Sequence, residues 1–266
     1  HLGMPRLEVE GAAYATIIAK TVEMLLLIGY TIKERPEFIS FSVFKRIDWA
    51  LFGRILKKGS LLIISQMMWV LSESFTAAIY NGRGNAAVVS GMAASFSIAN
   101  LFFISFDGIT TATGVLIGKS LGKNELDHAR KEKTWMLSAA IIFGCIMCLV
   151  GVVTVLLVPV VFGNLSIDAQ NICRAMLLLM ALFMPLWTYV NTQLAVCRAG
   201  GDTKVGFLVD GGTTAVMIPM LLILAFFTNA SPVMMYFGVK ALDVGKIIVA
   251  THEMKKERWV VNLSNG

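Results

Sequence analysis

VLIGKSLGKNELDHARKEKTW, residues 115–135, lies between two long apolar runs. It carries Lys119, Lys123, Arg130, Lys131 and Lys133, a Gly118-x-x-x-Gly122 pair, and Asn124 three residues ahead of Asp127. The surrounding chain of 266 residues is 56% hydrophobic and 15% charged, with a mean hydropathy of +0.73. An ordinary soluble domain carries about 25% charged residues, and one this apolar would turn large greasy patches to water. The lipid bilayer is the better solvent, and the sequence predicts an all-α integral membrane protein. Spanning the hydrocarbon takes about 20 apolar residues, and a span in lipid has to satisfy its own backbone as a helix.

Seven apolar stretches are marked, at about 11–32, 60–82, 88–118, 134–162, 171–197, 204–228 and 232–250. Turn residues punctuate them at 81–85, Gly163-Asn164, Gly200-Gly201-Asp202 and Asn229-Ala230-Ser231-Pro232. The cations sort by side. Alternate gaps hold seven (Lys33, Arg35, Lys45, Arg46, Arg54, Lys57, Lys58), then the five of the opening stretch. Arg198 and Lys204 follow, with Lys255, Lys256 and Arg258 in the tail. The other gaps hold only Arg6, Arg83 and Arg174. Positive charge accumulates on the cytoplasmic side, so the start is expected outside the cell (inner) membrane and the C-terminus in the cytoplasm. The opening stretch is then a cytoplasmic turn, with Asn124 expected to cap a short helix and its cations near anionic headgroups.

The net charge of +6 and pI near 9.2 do not point to nucleic acid, because the cations sit in the gaps between spans. Cys145-x-x-Cys148 has redox or metal spacing but falls mid-span with no His or third Cys near, and plain packing is the expected role. GKS at 118–120 lacks the upstream glycine of a phosphate-binding loop. No Ser/His, Cys/His or metal-spaced cluster lies in a span, and His128 and His252 fall outside them. An enzyme is not expected.

Polar residues inside the spans form stripes. Gln66, Trp69, Glu73, Thr76 and Tyr80 recur at three- and four-residue spacing, one face of one helix. The next span repeats this with Ser90, Ser97, Asn100, Asp107, Thr111 and Gly114. Interhelical hydrogen bonds account for the hydroxyls. Carboxylates within a span are costly and mark functional sites, so a wet cavity is expected between the two helices. Thr188 and Asn191 share a face of the 171–197 span, with Tyr189 and Gln193 beside them and Pro185 freeing a carbonyl. Asp210 fits the cavity and an interfacial pairing with Arg198 or Lys204 equally well. Lys240, Asp243 and Lys246, at successive spacings of three, are expected to neutralise one another locally. The 15 methionines suit a pocket that repacks around apolar guests, or a core.

Five stretches in order carry a resemblance. LEVEGAAYATIIAKTVE comes first, then Trp69 through IYNGRGNAAVVSGMAASFSIANLFF, GVLIGKSLGKNELDHARK, LAVCRAGGDTKVGFLVD and KKERWVVNLS. Together they resemble the multidrug and toxic compound extrusion (MATE) transporters over about residues 5–263. The resemblance implies one preceding helix (1–32, the family's sixth), a cytoplasmic inter-lobe linker (33–59), the second six-helix lobe (60–250) and a cytoplasmic tail (251–266). A missing N-terminal lobe is the expected partner, and a chain opening on His1 is expected to be a piece of a longer protein. The implied activity is secondary active antiport, in which Na⁺ or H⁺ drives export of small amphipathic or cationic compounds, with no other cofactor. Gln66 stands where many members carry an acid, two or three residues before the Trp. No acid stands near Trp187 either, and Glu73, on the face of Gln66, can substitute. The alternative is a seven-helix receptor or retinal-type protein, with Lys240 or Lys246 as the Schiff-base lysine. The five family-like stretches and the edge position of Lys246 weigh against it.

Single cysteines at Lys123 and Asn229 should label from opposite sides of the membrane, Lys123 from the cytoplasm. Labelling from one side would refute the seven-span count.

Overall fold

The computed structural model describes residues 8–34, 48–228 and 230–261, and these are helical apart from short turns, with no strand among them. The chain divides into two compact units, His1–Arg54 and Ile55–Gly266. The first holds α1 (Glu8–Glu34), whose Ile17, Leu25, Leu26 and Tyr30 are exposed. The second takes up α2 (Trp49–Arg83) from Ile55 onward. It continues with α3 (Ala86–Gly122), α4 (Leu126–Val161), α5 (Ile167–Ala199), α6 (Thr203–Phe227), α7 (Pro232–Ala241) and α8 (Asp243–Lys255). The stretch expected as a linker, 33–59, is helical to Glu34 and again from Trp49, while 35–47 lie outside the described residues, as does Asn229.

Among the described residues six helices are long and apolar enough to cross a membrane, the last of them Thr203–Phe227. The seventh expected span, 232–250, is instead broken. Leu242 closes α7 and opens α8, with Leu242 N–H donating to Val239 O and Gly245 N–H to Leu242 O. These three-residue bonds replace the four-residue ladder of an α-helix. The break falls between Lys240 and Asp243, which places both beside irregular backbone.

α5 is the centre of the second unit. Small residues let its neighbours come close. A Cβ on Gly144 of α4 would sit 2.5 Å from Pro185 Cα, one on Gly151 2.7 Å from Ala181 Cβ, and one on Gly91 of α3 2.6 Å from Ala169 O. Pro185 thus packs against α4 inside a continuous helix. Thr188, Thr192 and Gln193 of α5 are fully buried, and Gln193 Nε2 donates to Thr251 Oγ1 of α8 at 2.8 Å. Met92, Met176, Met180, Met217 and Met235 join a buried cluster, so these methionines serve the core. The four cysteines are unbridged, and Cys145 is exposed.

The turn at 119–133 differs from its expectation at one residue. Asn124 does not cap α4, whose N-cap position is Glu125 without a side-chain bond. Asn124 has φ 63 and closes α3: its N–H donates to Leu121 O, and Glu125 N–H donates to Ser120 O. This pair of bonds terminates a helix through a left-handed residue, a position where Asn is tolerated. Gly201, at φ 75, ends α5 the same way, with Gly201 N–H to Arg198 O and Asp202 N–H to Cys197 O.

The basic end of the bundle is stapled by the tail. Trp259 is 1% exposed, and its carbonyl would lie 1.9 Å from a Cβ on Gly200. Lys133 Nζ lies 5.7 Å over the Trp259 ring, and Arg130 pairs with Glu257 at 3.0 Å and Asp127 at 2.8 Å. Lys256 donates to Glu253, and this bond, with Arg258 nearby, holds the Glu253 carboxyl below the usual carboxylate range.

Asn124→Val should destabilise the protein by about 1–2 kcal/mol, the cost of a β-branched residue in left-handed backbone, while Asn124→Gly should be neutral. Chemical unfolding in micelles checks the pair, and a tolerated Val would show that the turn closes another way.

Candidate functional site

A cavity of about 440 Å³ lies within the second unit. It takes Gln66, Trp69 and Glu73 from α2, Phe103, Phe106, Asp107 and Thr110 from α3, and Trp187, Asn191 and Arg198 from α5. Asp210 and Thr213 come from α6, Tyr236 and Lys240 from α7, and Asp243 and Lys246 from α8. α4 contributes none of the lining. Four carboxylates face three cations, so the cavity is one charge negative when all are ionised.

The charges are paired across helices. Lys240 Nζ lies 2.8 Å from Glu73 Oε1, joining α7 to α2. Lys246 Nζ lies 3.1 Å from Asp243 Oδ1, whose other oxygen accepts from Trp187 Nε1 at 2.8 Å. Asp243 is 6% exposed, so the pair is largely desolvated, and breaking either half leaves an uncompensated charge. The Trp187 indole stacks on Phe183 with centroids 5.8 Å apart, and Asn191 Nδ2 donates to Trp187 O at 2.9 Å. Lys240 Nζ sits 5.6 Å from the Trp187 ring and 5.4 Å from the Tyr236 ring. Asp210 Oδ2 accepts from Ser65 Oγ at 2.7 Å. Arg198 Nε is buried without a hydrogen-bond partner among the described residues. The result is an amphipathic chamber: aromatic walls, fixed charges of both signs and spare donors.

The sequence pattern of the MatE family matches residues 62–224, more than half of the chain. The chain belongs to the MatE family. It is 26% identical over 255 residues to "Probable multidrug resistance protein NorM" of Rhodopseudomonas palustris, an alignment covering 93% of this chain and 53% of that protein. It is 20% identical over 270 residues to "Multidrug and toxin extrusion protein 1" of Oryctolagus cuniculus, covering 97% and 44%. Among solved structures, the Vibrio cholerae MATE transporter VcmN in the bent form superposes with a TM-score of 0.71 at 18% identity, covering 96% of this chain and 58% of that one. The chain thus spans about half the length of the curated relatives it matches. It is a multi-pass membrane protein with the fold of the MatE lobe.

Of the residues expected in a MatE cavity, the structure gathers Gln66, Trp69, Glu73, Asp107, Asn191 and Asp210. The others do not line it. Thr76 is buried, its hydroxyl donating to Ser72 O within α2. Tyr80 is buried against Tyr236, its hydroxyl without a partner among the described residues. Asn100 and Thr111 are exposed on α3, where Thr110 takes the cavity position, and Tyr189 packs against the core around Ile117 and Trp259. Asp210 pairs with neither Arg198 nor Lys204 among the described residues and accepts from Ser65 instead. Asp243 and Lys246 pair as expected, but Lys240 reaches Glu73, 167 residues away in sequence. The cavity also takes Trp187, Tyr236 and Lys240, which sequence reasoning did not place there. The signal available was two cations and an acid, Lys240, Asp243 and Lys246, within seven residues of an apolar stretch, at the break.

Asp243→Asn should cost about 3 kcal/mol, because it leaves Lys246 unpaired in a desolvated site. Adding Lys246→Met should recover most of that loss. Unfolding of the single and double variants in micelles measures the coupling, and additive effects would mean the pair contributes nothing.

Proposed function

We propose that this chain forms one lobe of a secondary active antiporter that exports small amphipathic or cationic organic compounds against inward movement of Na⁺ or H⁺. The observation that carries the reading is Glu73: a carboxylate in a helix long enough to span a membrane, facing a chamber walled by Trp69, Phe103, Phe106, Trp187 and Tyr236. Aromatic walls take an apolar body, and a negative net charge takes its cationic end. A carboxylate at that depth is expensive unless it binds a partner. It can hold a proton, a sodium ion or an ammonium group, one at a time. Competition for one carboxylate makes arrival of one cation drive release of another, which is the physical content of antiport.

The relatives' names, multidrug resistance and multidrug and toxin extrusion, support the substrate class. The lining residues of this chain then form one wall of a larger cleft, and a first lobe supplies the other. In this reading the chain sits in the cell (inner) membrane with its N-terminus outside and its basic end and tail in the cytoplasm, in keeping with the contacts that Lys133, Arg130 and Lys256 make to the tail residues Trp259, Glu257 and Glu253.

In the full-length transporter, Glu73→Gln should reduce coupled efflux at least about tenfold with no loss of folded protein, and Asp107→Asn should weaken it less. Efflux of a fluorescent organic cation from proteoliposomes under an imposed Na⁺ or H⁺ gradient is the measurement. Near wild-type efflux from Glu73→Gln would overturn the role of this carboxylate.

A further inference from the structure

The Lys240 ammonium is held the way a bound ligand would be. It lies 2.8 Å from Glu73 Oε1, 5.6 Å from the Trp187 ring centroid and 5.4 Å from that of Tyr236. One carboxylate and two aromatic faces within about 6 Å form the arrangement that binds organic ammonium groups, including quaternary ones. A bridge serving only to join α2 to α7 would need the carboxylate and no aromatic faces.

The walls of this cage are fixed independently of the lysine. Trp187 is held by its bond to Asp243 at 2.8 Å and by stacking on Phe183. Tyr236 is 1% exposed and packs edge-on against Phe96. The lysine is the flexible component, a charged head on a four-carbon stem. It leaves α7 two residues before the break at Leu242, and the Asp243 carboxylate stands just beyond that break. A displaced Lys240 therefore keeps a counter-ion within reach. The cage residues Tyr236 and Lys240 also lie beyond residues 62–224, the segment that matches the family pattern.

Resting on the reading of this cavity as a binding site for cationic compounds, we propose that Lys240 is a resident surrogate ligand: its ammonium fills the cage of Glu73, Trp187 and Tyr236, and an organic ammonium binds there by displacing it. The tethered cation keeps the carboxylate satisfied when no guest is present and sets a threshold that a guest must exceed.

Binding of tetraethylammonium to the purified full-length protein in lipid nanodiscs, by calorimetry without any ion gradient, tests this. Lys240→Met should tighten binding about tenfold or more, and adding Trp187→Leu, which leaves the charge unchanged, should remove most of that gain. Equal affinity in wild type and Lys240→Met would overturn the proposal. An undiminished gain in the double variant would reduce the effect to charge alone and overturn it too. Wild-type protein supplies an independent reading should the variants misfold. Acetylation of Lys240 by an amine-reactive ester, followed by peptide mass spectrometry, should accelerate several-fold in saturating tetraethylammonium, and an unchanged rate counts against displacement. Neither readout depends on coupled export. Loss of transport coupling and failure of the cage are therefore separate results.

Discussion

The second unit depends on how closely α5 can be approached. Gly144 faces Pro185 across a gap that a single Cβ would fill, and Gly151 meets Ala181 in the same way. In lipid there is no hydrophobic gain from bringing two apolar helices together, so association rests on van der Waals contact and hydrogen bonds. Small residues at the crossing supply that contact by letting backbones touch. With α5 held against α3 and α4, its Trp187, Asn191 and Arg198 line the cavity together with Phe103, Phe106 and Asp107 of α3.

The second constraint is electrostatic. Charges removed from water cost several kcal/mol each unless paired, and here each of the two lysines finds a carboxylate. Lys246 pairs within α8, a local solution open to any helix. Lys240 crosses to α2 and pairs with Glu73. This pair, Ser65 with Asp210, and Arg83 donating to the carbonyls of Leu224 and Thr228 are polar ties that α2 makes to α6 and α7. Such ties can be exchanged for other ions or hydrogen bonds, unlike a close-packed glycine crossing. The bundle therefore combines close glycine crossings among α3, α4 and α5 with apolar clusters that reach α6, α7 and α8, and adds exchangeable polar ties between α2 and α6 and α7.

At the basic end the same economy of small residues recurs. Gly200 has no side chain, and the Trp259 carbonyl occupies the space a methyl group would take. The turn after α5, the turn after α3 and the tail are thereby drawn to one place, with Lys133 over the Trp259 ring and Arg130 on Glu257. Three segments far apart in the chain explain one another's composition: a pair of glycines, a run of cations and a tryptophan followed by apolar residues.

The amino-acid sequence by itself determined the class of the protein, six of its seven marked spans and the helix carrying Glu73, because these follow from local composition and a helical period. A carboxylate among twenty apolar residues is visible without a structure, as is the three-four spacing that puts Gln66, Trp69 and Glu73 on one face. The tertiary structure decided what that face meets. Thr76 and Tyr80 share the stripe but lie deeper, against α2's own backbone and the Tyr236 ring, since a helix face is longer than a cavity. Thr111 falls one residue from Thr110 and Asn100 three from Phe103, and rotation of α3 by its packing on α5 decides which of them reach the cavity. The left-handed Asn124 escaped a local reading because a residue that can open one helix can equally close the one before it. Above all, the pairing of Lys240 with Glu73 spans 167 residues. Sequence spacing favoured Asp243 as the partner, but the break at Leu242 and the crossing of α7 past α2 gave the nearer carboxylate to the more distant residue.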